Sequence, residues 1–188
     1  MKNFFTALIF GLIFAGVSFA QTSTRAKNTG KAGIKVAVIE FSPGKNVPEM
    51  TVEAKRQMQA SMAFALHDSR KFEVVDVRNT RKASQSNLAA INSSSSTAAA
   101  VKIGKQLKVN YVLTGTVVEY TPKGADGFGR VILKTRFIDV ATGKVKHETE
   151  TIQRSTSAMR TENANELQKK AIKPATLKLA ETLVGLRL

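Results

Sequence analysis

The stretch TAAAVKIGKQLKVNYVLTGTVVEY, residues Thr97–Tyr120, decides how this chain is read. Its first half has a helical pattern. Ala98, Val101, Lys102 and Lys105 recur at helical spacing, Ile103 and Leu107 add apolar surface, and Thr97 stands where an N-cap belongs. Lys108-Val109-Asn110 forms a bridge in which Asn110 is the turn-prone member. Tyr111–Tyr120 is rich in β-branched and aromatic residues, which fit a pleated surface. Almost every residue from Tyr111 to Val118 is apolar or Thr, the mark of a central strand buried on both faces. Gly115 in its middle predicts a bulge or a close backbone approach. This unit joins an N-terminal α/β half to a C-terminal half made of β-hairpins.

Upstream, Ile34–Phe41 reads as a buried strand and Ser42–Met50, with Pro43-Gly44 and Pro48, as a loop. From Thr51 the period changes. Ala54, Met58, Met62 and Leu66 fall four apart with Ala65 beside them, giving one apolar helix face as far as about His67, capped by Thr51. Phe72–Val77 is a short strand, and Arg78–Ile91 a weak helix whose large apolar residues are Leu88 and Ile91. Asn92–Ser96 is a low-complexity loop.

Downstream, Thr121–Gly129 is a Gly-rich turn, Arg130–Val140 a long strand and Ala141–Lys144 a tight hairpin connection. Val145–Arg154 alternates with Lys146, Glu148, Glu150 and Arg154 on one face and His147, Thr149, Thr151 and Gln153 on the other, as an edge strand does. Glu162–Leu186 carries Leu167, Ala171, Ala175, Leu179 and Leu183 at intervals of four, a helix that Pro174 must kink or split. The predicted order is β-α-β-α-α-β-β-β-α, a mixed β-sheet with helices packed on it, of the α/β (α+β) class.

The N-terminus has the form of an export signal. Met1–Asn3 is cationic, Phe4–Val17 is apolar, and Ser18-Phe19-Ala20 supplies small residues for cleavage between Ala20 and Gln21. The apolar run is short for a membrane span, which needs roughly 20 residues. Gln21–Gly33 is polar and basic, a flexible leader. The expected organisation is a signal at 1–20, a leader at 21–33 and one domain at 34–188.

The chain has no cysteine, so core packing rather than disulfides must hold it, and no thiol is present for lipid attachment at the signal junction. With 29 Lys and Arg against 14 Asp and Glu the formal charge is +15. An exported protein so basic is expected to meet polyanions of the envelope, such as lipopolysaccharide phosphates, anionic lipids or wall carboxylates, and the signal argues against nucleic acid. Basic residues gather at Arg25, Lys27 and Lys31, at Arg70, Lys71, Arg78, Arg81 and Lys82, and at Lys102, Lys105 and Lys108. The last three, spaced three apart, form a stripe that is either a solvated face or a polyanion-facing surface.

No catalytic pattern stands out. There is no Cys nucleophile and no Gly-x-Ser-x-Gly, and His67 and His147 lie in different elements without a carboxylate cluster at ligand spacing. The segment Gly124–Gly129 has the wrong glycine spacing for a phosphate loop and precedes a strand rather than a helix, so a hairpin loop is its reading. Phe128 within it is a candidate exposed contact residue. No metal and no cofactor are expected.

Four segments in order, Lys35–Phe41 (KVAVIEF), Arg70–Arg78 (RKFEVVDVR), Ala100–Val118 (AVKIGKQLKVNYVLTGTVV) and Phe137–Lys144 (FIDVATGK), resemble the CsgG/LpoB family of bacterial envelope proteins. The resemblance runs from about Ile34 to Val145 and more loosely over the last helix. It implies a mixed α/β domain related to the N-terminal domain of TolB, and a non-enzymatic role. One member is a curli secretion lipoprotein, an oligomeric outer-membrane pore. Another is an outer-membrane lipoprotein that docks on and activates a bifunctional penicillin-binding protein. The missing cysteine departs from both and favours a free periplasmic protein, peripheral at most to the outer membrane. Neither face of Val145–Arg154 suits lipid, which argues against a pore built by this chain alone.

The expectation is therefore a periplasmic assembly or accessory factor working through protein–protein binding, with peptidoglycan-synthase activation or a curli-type secretion apparatus as alternative settings. Homo-oligomerisation stays open. Phe128 and the stripe Lys102, Lys105 and Lys108 are the candidate contacts. An enzyme on the same fold would need a polar cluster that the sequence does not offer.

Overall fold

The computed structural model describes residues 33–45, 47, 50–86 and 97–188. The signal with its junction at Ala20 and Gln21, the leader as far as residue 32, and the segment holding Leu88, Ile91 and Asn92–Ser96 lie outside the described residues.

The elements are β1 (Ile34–Val38), β2 (Ser42–Pro43), α1 (Val52–Asp68), β3 (Phe72–Val74), α2 (Val77–Gln85), α3 (Thr97–Leu107), β4 (Tyr111–Thr121), β5 (Arg130–Asp139) and β6 (Val145–Arg154). A C-terminal helix follows in three parts: α4 (Ala164–Leu167), a π-helical turn (Gln168–Ile172) and α5 (Lys173–Val184). The strands form one mixed sheet in the order β3-β1-β4-β5-β6, with β2 also paired to β4. β1 runs parallel to β3 and β4, while β4, β5 and β6 form an antiparallel meander. This is the predicted architecture, with β4 central and β6 at an edge.

Each face of the sheet carries its own core. On one face Val36, Val38, Leu113, Val117, Leu133 and Phe137 meet α1 and the C-terminal helix. Met58, Met62 and Leu66, the face read from the sequence, are wholly buried there, each contributing about 1.5–3 kcal/mol by leaving water. Thr51 caps α1, its hydroxyl accepting from the Ala54 N–H at 3.1 Å. On the other face Ala37, Ile39, Val112, Ile138 and Val140 pack against α2 and α3. The buried side of α3 is Ala99, Ala100, Ile103 and Gly104. Ala98 is exposed and Val101 half-buried, so the face is rotated from the one expected. The cause is Gly104. A Cβ there would stand 2.8 Å from the Val112 side chain, so only glycine lets the helix come this close to the sheet. Thr97 is the first helical residue rather than the cap.

Several boundaries differ from expectation. β1 stops at Val38, the chain steps out through Ile39–Phe41, and Ser42–Pro43 re-enters beside Thr116 and Val117 of β4. The step places the Phe41 ring over Gly115. A Cβ at Gly115 would lie 2.6 Å from that ring and 2.7 Å from the Lys134 carbonyl oxygen. The glycine thus marks a close approach, while the register shift of β4 falls at Val117/Glu119. β3 ends at Val74 and α2 begins at Val77 behind Asp76, whose carboxylate accepts from the Arg78 N–H at 2.7 Å.

Pro174 has the predicted disruptive effect. It has no N–H for the Lys170 carbonyl one turn back. The helix widens into the π turn just before it, and the Lys170 carbonyl accepts instead from the Thr156 N–H at 2.9 Å. The same carbonyl fastens the segment after β6 onto the helix.

Candidate interaction surfaces

The loop between β4 and β5 is built from its own backbone. The Gly124 N–H donates to the Phe128 carbonyl at 2.7 Å, and the Gly127 N–H to the Gly124 carbonyl at 2.9 Å. Asp126 accepts from the Phe128 N–H at 3.0 Å. The far side of the loop is tied to the segment after β6: Met159 N–H donates to the Gly127 carbonyl at 2.8 Å, Ser155 N–H to the Gly129 carbonyl at 2.8 Å, and Gly129 N–H to the Ser155 hydroxyl at 3.0 Å. A Gly-rich loop is thereby fixed rather than free.

Phe128 is half-buried, not fully exposed as the sequence suggests. The Arg154 guanidinium lies 3.6 Å from its ring centroid, a cation–π contact. Arg154 also pairs with Asp126 at 3.1 Å. The Phe128 hydrogen bond and then the Arg154 charge hold the Asp126 carboxyl below its ordinary pKa, against the opposing effect of burial. Phe128 and the exposed Ile152 line a shallow depression of about 520 Å³ whose rim carries Glu119, Asp126, Arg130 and Arg154. Arg130 faces Glu119 at 3.5 Å. Arg154 is not among the contact residues expected from the sequence. Its signal is nonetheless legible there, because strand alternation puts Arg154 and Ile152 on the outer face of β6, and the register sets Arg154 opposite Arg130.

Below the loop, Glu166 of α4 grips the same segment. Its carboxylate accepts from the Arg160 and Thr161 N–H groups at 3.1 Å each and pairs with Lys170 at 2.7 Å. The Lys170 hydrogen bond, followed by those two backbone donors, lowers its pKa to about 2.

The lysine stripe divides. Lys102 and Lys105 are exposed on α3. Lys108 lies past the helix end at φ 54°, the left-handed C′ position. Val109 N–H donates to the Gly104 carbonyl and Lys108 N–H to the Lys105 carbonyl, which is a Schellman ending with lysine where glycine is usual. Lys105 and Lys108 line an open depression with Lys35, Asn110, Tyr111 and Asp139, and Lys102 is not part of it. Tyr111 and Thr121, the two ends of β4, lie about 33 Å apart at 3.2–3.4 Å per residue; Lys105 and Lys108 line the depression beside Tyr111, and the Phe128 loop follows Thr121. They are separate surfaces at opposite ends of the sheet.

The other basic residues have structural partners or lie in solvent. Lys71 donates to the Val184 and Leu186 carbonyls at 2.6 Å each, closing the end of α5. His67 is exposed in the last turn of α1, and the buried Nε2 of His147 on β6 finds no hydrogen-bond partner among the described residues. Among the described residues no group of three or more His, Asp or Glu could hold a metal ion, and no helix is long and apolar enough to cross a membrane.

No family model matches the chain, and no curated protein does. Solved structures do. The lipoprotein GNA1162 from Neisseria meningitidis matches at TM-score 0.52 and 19% identity, covering 82% of this chain and 99% of that one. The PelC dodecamer from Paraburkholderia phytofirmans matches at TM-score 0.50 and 18% identity, covering 79% and 88%. The C-terminal domain of LpoB from Salmonella enterica gives TM-score 0.47 and 18% identity over 66% and 85%. In its mixed sheet with helices on both faces, the chain is similar in fold to GNA1162 and to the PelC subunit.

Proposed function

We propose that this protein is a non-enzymatic accessory factor of the bacterial envelope that acts by binding another protein. The observation that carries the reading is the Phe128 depression. It is a small apolar centre, Phe128 and Ile152, inside a rim of Arg and carboxylate side chains, on a loop already fixed by hydrogen bonds. An apolar centre with an arginine-rich polar rim is how protein–protein contacts are built, and a preformed loop loses little entropy on docking. The likeness in fold to a lipoprotein and to a subunit of a PelC assembly accords with it. The N-terminal pattern, with cleavage between Ala20 and Gln21, places the mature chain in the periplasm in this reading.

The test is a crosslinking pull-down of the mature protein from envelope extracts across a salt series, with Phe128→Ala and Arg154→Ala alongside. A protein partner retained at high salt by the wild type and absent with both variants supports the reading. Its identity then separates a penicillin-binding protein from a secretion or assembly component. Recovery of nothing but wall fragments or lipopolysaccharide that wash off steeply with salt would mean attraction by charge alone and would refute it.

A further inference from the structure

A cleft opens where the chain leaves the sheet after β1, at the carboxyl end of a parallel strand, the position where open α/β sheets take ligands. Its volume is about 330 Å³, near the lower end of the range for small-molecule sites, roughly 300–1,000 Å³. The floor is apolar: Ile39 and Phe41 lie almost wholly buried in it, and Pro43 and Val52 add exposed apolar surface. The rim is cationic: Lys55 and Arg56 from the first turns of α1 and Arg81 from α2, with Glu40 the one carboxylate among the described lining residues. None of these three cations joins an ion pair among the described residues. The Ser84 hydroxyl, also in the lining, is buried without a hydrogen-bond partner among the described residues.

Arg81 is positioned from inside the fold. Gln59 is wholly buried and donates to the Val38 carbonyl at 2.7 Å, the last carbonyl of β1. Its own amide oxygen accepts from the Arg81 guanidinium at 3.4 Å. A buried glutamine that links the end of a strand to a cleft arginine sets the height of that arginine over the floor. Among the described lining residues, three cations against one carboxylate leave two positive charges, and low-dielectric walls focus such a field into the cleft. Two positive charges match a phosphate monoester, which carries about −1.5 to −2 near neutral pH. Guanidinium forks match its oxygen geometry.

We propose that this cleft binds a phosphate monoester carrying a compact apolar body, the phosphate held by Lys55, Arg56 and Arg81 and the body laid on Pro43 and Val52. The phosphate can come from a soluble ester or from a lipid headgroup. The site is distinct from the Phe128 surface, so neither reading depends on the other.

Isothermal titration of the full chain with phenyl phosphate at low salt tests it. Saturable binding is expected, weakened about tenfold or more in Lys55→Gln/Arg56→Gln, since each substitution removes a charge-assisted hydrogen bond to the phosphate. It is expected to be unchanged in Lys102→Gln/Lys105→Gln, which takes the same charge from another face. Inorganic phosphate should bind more weakly than phenyl phosphate. Both double variants change exposed or half-exposed helix positions, and amide shifts in the wild-type chain give a readout that needs no variant: they should centre on Ile39–Ser42 and Ser84. Equal weakening in the two double variants, equal binding of inorganic phosphate, or shifts confined elsewhere would each overturn the proposal. Flotation with phosphatidic acid vesicles, against phosphatidylcholine vesicles, separates the sources. Capture abolished in the Lys55/Arg56 variant alone assigns a lipid phosphate, and phenyl phosphate binding without vesicle capture assigns a soluble ester.

Discussion

Replacing Gly115 by alanine probes the contact that shapes the middle of the sheet. The new methyl carbon would sit 2.6 Å from the Phe41 ring and 2.7 Å from the Lys134 carbonyl oxygen. Phe41 is only 1% exposed, so its ring cannot swing into solvent, and the oxygen belongs to the paired strand β5. Overpacking of this kind costs about 1–3 kcal/mol, and pressure from ring and backbone together puts Gly115→Ala in the upper half of that range. Phe41→Ala alone removes a buried ring at a cost of about 3–5 kcal/mol. In the double variant the methyl group enters space the ring has left and meets only the carbonyl. The two losses should therefore fall short of their sum by about 1 kcal/mol or more, beyond the roughly 0.5 kcal/mol scatter of independent sites. Urea unfolding followed by circular dichroism, with unchanged slope across the four proteins, reads the cycle. Additive losses, or a Gly115→Ala cost below about 0.5 kcal/mol, would refute the claim that this glycine is required by the Phe41 approach.

Three further outcomes follow from the geometry. Lys108→Gly should stabilise the protein by about 1 kcal/mol in the same assay, because φ 54° is strained for lysine and ordinary for glycine. Glu166, with its pKa lowered from 4.5 to about 2, contributes stability that is fully present above pH 4.5 and is lost as pH falls through about 2. The stability gap between wild type and Glu166→Gln should accordingly be largest near neutrality and shrink across that window, and a gap that widens on acidification would contradict the assignment. Arg154→Ala should leave global stability within about 0.5 kcal/mol, as surface changes usually do, yet speed amide exchange in Gly124–Phe128 and move the Asp126 carboxyl back up toward its ordinary pKa in an NMR titration.

What was legible in the sequence was whatever local chemistry or periodicity encodes. The apolar run Tyr111–Val118 sets a central strand, buried on both faces from Val112 to Gly115 although Val118 is exposed, and the alternation in Val145–Arg154 sets an edge strand, because side chains alternate with period two. The intervals of four in α1 mark its buried face, and Thr51 its start. Pro174 marks a disrupted helix, because its missing N–H is a local property. Only the tertiary structure decided features that depend on which surface arrives opposite. It rotated α3 onto Gly104 because the sheet approaches there, and it turned Gly115 into a seat for Phe41, a residue distant in sequence. It covered Phe128 with Arg154 and set the Phe128 loop and the depression of Lys105 and Lys108 at opposite ends of β4. It also gathered Lys55, Arg56 and Arg81 around one apolar floor, with Gln59 as the buried link. Composition shows that basic residues are abundant. Where they converge depends on long-range packing, which no local pattern records.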